Sequence, residues 1–164
     1  MTKLIYLFGD SIVKGTGDLE MGGWGSRLRN FFENNDYNTE VRNFGVGGNT
    51  TDDLLRRFAI ESESGVIDIV IFGIGINDSK RIGNNSVECI VTIERIRENL
   101  RELIRLAKQK TDKIIFLGLT SVDETKTCAC IWDGIKSDVF FYNKDIELHN
   151  SVIEEMVAIN KKMI

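Results

Sequence analysis

Leu4-Ile5-Tyr6-Leu7-Phe8-Gly9-Asp10-Ser11 is the stretch that decides the fold. Its apolar residues run from Leu4 to Phe8 without a polar face and stop at Gly9, as in a strand buried on both sides of a parallel sheet. The pattern returns in Ile67-Asp68-Ile69-Val70-Ile71-Phe72, ending near Gly73 and Gly75, and in Ile114-Ile115-Phe116-Leu117, ending near Gly118. A shorter strand is expected from Glu40 to Phe44.

Between these runs the apolar period becomes helical. Trp24, Leu28, Phe31 and Phe32 share one face, and Leu54, Leu55 and Phe58 another. A longer helix is expected over about Val87 to Lys110, with Ile93, Leu100, Leu103, Ile104 and Ala107 inward. A last helix from about Asn143 carries a stripe of Val152, Ile153, Met156 and Ile159/Met163. Thr120 to Phe141 has no clear periodicity and far exceeds the usual connection of about four to six residues, so it reads as a loop with a binding or lid role. Strands alternating with helices imply right-handed crossovers and an α/β fold of three layers, a flavodoxin-like doubly wound parallel sheet of order 2-1-3-4.

A chain of 164 residues is the size of one domain, so residues 1–164 are taken as a single unit. Hydrophobic residues at 42% and charged residues at 28% suit a chain that folds in water. A net charge of −4 with no long basic run argues against a nucleic-acid partner. The apolar stretch Leu4 to Phe8 is too short for a signal-peptide core, and no membrane span is expected. The odd set Cys89, Cys128 and Cys130 suggests neither a disulfide framework nor, as a lone Cys-x-Cys, a metal site, and a cytoplasmic setting is expected.

Ligands of such sheets bind beyond the carboxyl ends of the strands, where the strand order reverses. There Gly9-Asp10-Ser11 should face Gly75-Ile76-Asn77-Asp78, with Asn43-Phe44-Gly45-Val46-Gly47-Gly48-Asn49-Thr50-Thr51 at the same end. Taken singly, each segment has a plain structural reading as a turn, a tight bend or a cap. Together, and in this order, they resemble the sequence blocks of the GDSL or SGNH hydrolases, a resemblance that runs from Met1 to about Met156 and includes Tyr142-Asn143 and Ile146-x-x-His149-Asn150. It implies a serine esterase or acylhydrolase acting on a small ester. Ser11 would be the nucleophile, and the backbone N–H groups of Ser11 and Gly48 with the Asn77 amide would form the oxyanion hole. Asp10 reads as a turn or hydrogen-bonding residue instead. The resemblance implies no cofactor and no metal.

The sequence departs from the family at the catalytic base. Family members carry Asp-x-x-His after a fifth strand, whereas no fifth strand is expected from the residues here and the only histidine among them is His149. Asp145 precedes it by a helical turn, and His149 shares the apolar stripe of the last helix, so it reads as a packing residue and the base stays unassigned. Asp133-Gly134-Ile135-Lys136 resembles the family's Asp-Gly-Ile-His only superficially. A truncated form of a longer enzyme is the preferred explanation, a natural short form the other. Either leaves strand four as an open edge that a homodimer could cover.

Two other classes are weighed. A non-catalytic module would keep the pocket for an acyl or acetyl ligand and bind without turnover. A flavodoxin-like flavin domain or a receiver would share the strand order, but the chain offers only Lys14-Gly15-Thr16-Gly17 as a faint phosphate turn, and Asp10 with Asp78 does not make a receiver's acidic set. Substrate choice would reside in Gly17 to Trp24 and Thr120 to Phe141, with Trp24 and Trp132 as candidate acyl contacts.

Overall fold

The computed structural model describes residues 2–63, 66–83, 88–132 and 135–161. The apolar runs become β1 (Lys3–Gly9), with α1 (Ser11–Lys14) and α2 (Gly23–Asn35) after it, then β2 (Thr39–Gly45), α3 (Thr51–Glu61) and β3 (Ile69–Gly73). A short β4 (Arg81–Ile82), the long α4 (Ile93–Lys108) and β5 (Ile114–Phe116) follow. The sheet is parallel, in the order β2-β1-β3-β5, so β5 is the fourth strand expected from sequence and the order 2-1-3-4 holds.

Helices cover both faces because the central strands β1 and β3 are apolar on both. Tyr6 and Phe8 of β1 and Val70 and Phe72 of β3 pack against Leu54 and Phe58 of α3 and Leu103 and Ala107 of α4. Ile5 and Leu7 point the other way, to Val13, Val41 and the α2 residues Trp24, Leu28 and Phe32. Phe31, expected on that inward face, is exposed instead; Leu28 and Phe32 already fill the stripe that faces β1 and β2. α2 leaves the outer strand open on its side, and Ile115 is 44% exposed there.

The long helix starts later than its periodicity suggested. Thr92 caps it by accepting the Arg95 N–H, so residues 88–92 lie outside it, and Val87 lies outside the described residues. The stretch 120–141 is not a structureless loop. It holds α5 (Glu124–Thr127), a hairpin of β6 (Ile131–Trp132) and β7 (Ile135–Lys136), and β8 (Val139–Phe140), which pairs antiparallel with β4. Elements this short have no period to read. Asp133, Gly134, the Trp132 side chain and Met163 lie outside the described residues.

α6 (Asn143–Lys161) closes the chain against α4, with Val152, Ile153 and Met156 on Ile96, Leu100 and Ile104. Its first turn holds β4 through a bidentate pair, Arg81 to Asp145 at 2.7 and 2.8 Å. Asn150 clamps the segment after β5 by exchanging two bonds with Leu119, at 2.7 and 3.0 Å. Among the described residues no helix is long and apolar enough to cross a membrane.

Candidate active site

The site is built on a row of glycines. Gly9, Gly45 and Gly73 stand side by side at the carboxyl ends of β1, β2 and β3. Without side chains there, α1 settles directly onto the sheet: a Cβ at Gly45 would lie 2.2 Å from the Lys14 nitrogen, and one at Gly9 would lie 2.4 Å from a Val13 methyl. That close approach puts Ser11, the first residue of α1, at the end of the central strand. Asp10 caps the helix by accepting the Ile12 N–H at 2.8 Å. Burial pushes its carboxyl above the usual range, opposed by the Ile12 N–H.

Three chain segments meet at Ser11. The loop after β2 is joined to β1 by the Val46 N–H on the Gly9 carbonyl at 3.0 Å, and it passes so close that a Cβ at Gly47 would lie 3.9 Å from the Ser11 Cβ. Gly48 follows with φ +79°, the left-handed conformation that glycine adopts without steric cost. The Asn77 side chain, 9% exposed, donates to the Asn49 carbonyl at 3.0 Å and so lies next to Gly48 along the chain. Neither the Ser11 nor the Gly48 backbone N–H donates to any group among the described residues, and the Ser11 hydroxyl has no partner there either. Ser11, Gly48 and Asn77 are thus brought to one end of the sheet with donors free for a ligand.

His149 is held elsewhere. It is 1% exposed on α6, where Nδ1 donates to the Asp145 carbonyl at 2.6 Å, and Nε2 is buried without a partner. Burial lowers its pKa, so the ring is kept neutral. No hydrogen bond joins it to Ser11.

Sequence reasoning missed the layer behind Asn77. Asp78 is fully buried and accepts the Thr51 N–H on both oxygens, at 3.1 and 3.0 Å, and the Thr51 hydroxyl at 2.5 Å. Asn99 of α4 donates to the same hydroxyl and to Asp52. A polar Asn99 on the inward, otherwise apolar stripe of an amphipathic helix was the readable sign of this network. Burial outweighs the Thr51 bonds and pushes the Asp78 carboxyl up to about 7. The native state therefore holds a proton that the unfolded chain has lost above about pH 4, so the group's stabilisation is complete in acid and disappears as pH rises through 7. The difference in unfolding free energy between wild type and Asp78→Asn should fall by roughly 4 kcal/mol from pH 4 to pH 8. Urea titrations across that range measure it, and a difference that stays flat would place the ordinary carboxylate pKa on Asp78.

Beside Ser11 lies an apolar cleft of about 180 Å³, lined by Asp10, Ile12, Trp24, Ile76, Leu117 and Leu119 among others. Trp24 thus both borders this cleft and packs on the α2 side of the sheet. No cluster of three or more metal-ligating side chains occurs among the described residues.

The family model described as the GDSL-like Lipase/Acylhydrolase family matches residues 7–160. The fold is similar to that of a lipase/acylhydrolase from Enterococcus faecalis, at 22% identity and a TM-score of 0.68 over 98% of this chain and 73% of that one. TesA is similar at 19% identity and a TM-score of 0.71, over 97% of this chain and 75% of that one. A variant of Axe2, an acetyl xylan esterase from Geobacillus stearothermophilus, is similar at 20% identity and a TM-score of 0.67, over 98% and 73% of the two chains. No curated protein matches the sequence.

Proposed function

Since the chain belongs to the GDSL-like lipase/acylhydrolase family, we propose that it hydrolyses small carboxylic esters through an acyl-enzyme on Ser11. The observation that carries this reading is the pair of unpartnered N–H groups, of Ser11 and Gly48, beside a partly exposed serine hydroxyl, with the Asn77 amide tied next to them. Attack of Ser11 Oγ on the ester carbonyl moves charge onto the carbonyl oxygen. Donors already fixed at that position stabilise it without reorganising at the moment of reaction. The leaving alcohol takes the proton that Ser11 gives up, and water then releases the acid. The apolar cleft against Ile12 and Trp24 suits the acyl chain, and its small volume favours short chains.

A second reading, binding of an acyl or acetyl ligand without turnover, is favoured by one observation: the Ser11 hydroxyl meets no base among the described residues. A serine without a base is a weak nucleophile, and losing triad function costs about four to six orders of magnitude in turnover. Release of p-nitrophenol from p-nitrophenyl acetate separates the two. The hydrolase reading expects turnover that falls to the buffer rate in Ser11→Ala; equal rates in the two proteins leave only the binding reading.

A further inference from the structure

We propose that Arg57 is a positioning residue that locks the segments carrying Ser11, Gly48 and Asn77 into one frame. Its guanidinium, on α3 and 17% exposed, points into the site rather than to solvent. Nη2 donates to the Gly9 carbonyl at 2.9 Å, two residues before Ser11. Nε donates to the Asn49 side-chain oxygen at 2.8 Å, one residue after Gly48. Nη1 meets Glu61 Oε2 at 2.5 Å, which holds the fork in plane. The Asn49 backbone carbonyl in turn accepts the Asn77 amide at 3.0 Å.

One cation therefore spans the turn after β1 and the loop after β2, and through Asn49 it reaches the loop after β3. The Gly9 carbonyl also takes the Val46 N–H at 3.0 Å, so Arg57 supplies its second donor and ties the same two segments twice. Charge-assisted bonds on a mostly buried planar fork constrain direction as well as distance. A lysine, with a single compact head, cannot serve Gly9, Asn49 and Glu61 in one plane. Arg57 touches no reacting atom in this scheme; it acts through Asn49 on the donors. Its catalytic consequence rests on the esterase reading, whereas its effect on Asn77 does not.

The test compares wild type with Arg57→Gln and Arg57→Lys, using Arg56→Gln as control because Arg56 pairs with Asp53 on the solvent side of the same helix. Two readouts are taken: the side-chain amide signals of Asn77 in a ¹H–¹⁵N spectrum, assigned by their loss in Asn77→Asp, and kcat and KM on p-nitrophenyl acetate. Arg57→Gln should displace the Asn77 signals and lower kcat by about 10- to 100-fold with KM held within about twofold, since misplacement of about 1 Å costs on that order. Arg57→Lys should displace the signals too and recover only part of kcat, and Arg56→Gln should match wild type in both. Wild-type Asn77 signals in a folded Arg57 variant overturn the proposal, and Arg57→Lys supplies that reading if Arg57→Gln does not fold. Displaced signals with an unchanged kcat overturn its catalytic part. Absence of Ser11-dependent turnover in wild type counts against the esterase reading alone, and the Asn77 signals then decide for or against Arg57.

Discussion

Replacing Asn77 by alanine should lower kcat for ester hydrolysis by about 10²- to 10³-fold while KM changes little. The size follows from what the amide does. One of its hydrogens is committed to the Asn49 carbonyl at 3.0 Å, and in the proposed reaction the other would meet charge that appears on the substrate only in the transition state. Losing such a donor removes about 3 to 4 kcal/mol of stabilisation from the transition state and almost none from the bound ester. The cost to folding is smaller, on the order of 1 kcal/mol for one partly buried hydrogen bond, so the variant should stay folded and the kinetics should be readable. Steady-state rates on p-nitrophenyl acetate, with circular dichroism to verify folding, check this. A kcat within threefold of wild type would remove Asn77 from the oxyanion hole and leave it a link between two loops.

Gly9→Ala should destabilise the fold severely, by roughly 3 kcal/mol or more. A Cβ at Gly9 would stand 2.1 Å from the Gly73 carbonyl oxygen and 2.4 Å from a methyl of Val13. The oxygen is backbone of the neighbouring strand, and β1 is paired on both sides, by β2 and by β3, so it cannot step away. Either the sheet opens or α1 lifts, and lifting α1 carries Ser11 with it. Gly17, at φ +91° with nothing within 4 Å of its Cβ position, provides the contrast: alanine there meets only the conformational cost of about 1 to 2 kcal/mol. Urea unfolding of both variants measures the gap. A Gly9→Ala protein within 1 kcal/mol of wild type would mean that the glycine row does not set how α1 sits.

Much of this frame was legible in the residues. The apolar runs ending at Gly9, Gly73 and near Gly118 are long enough to announce parallel strands, and the order of their loops placed Ser11 and Asn77 at one end of the sheet. What escaped depends on contacts that no local period encodes. Arg57 lies 48 residues from the carbonyl that it holds, and on a helical pattern it looks like any other arginine beside Arg56. Phe31 and Phe32 are equivalent until the way α2 sits on the sheet decides which one faces inward. The two-residue strands β4, β6, β7 and β8 exist only because they pair with each other, so 120–141 read as loop. His149, by contrast, was placed by simple amphipathicity, and it sits within the stripe that buries α6.

If Ser11 is a nucleophile facing donors already in place, an activated p-nitrophenyl phosphonate ester should capture it, and intact-mass spectrometry after incubation reads the outcome. The phosphorus of such a reagent takes the serine oxygen, expels p-nitrophenolate and leaves a tetrahedral, negatively polarised group where the oxyanion would form. One phosphonyl adduct per chain is expected, on the peptide containing Ser11, absent in Ser11→Ala and formed more slowly in Asn77→Ala. No adduct on the folded wild-type chain, or the same adduct on Ser11→Ala, would contradict it.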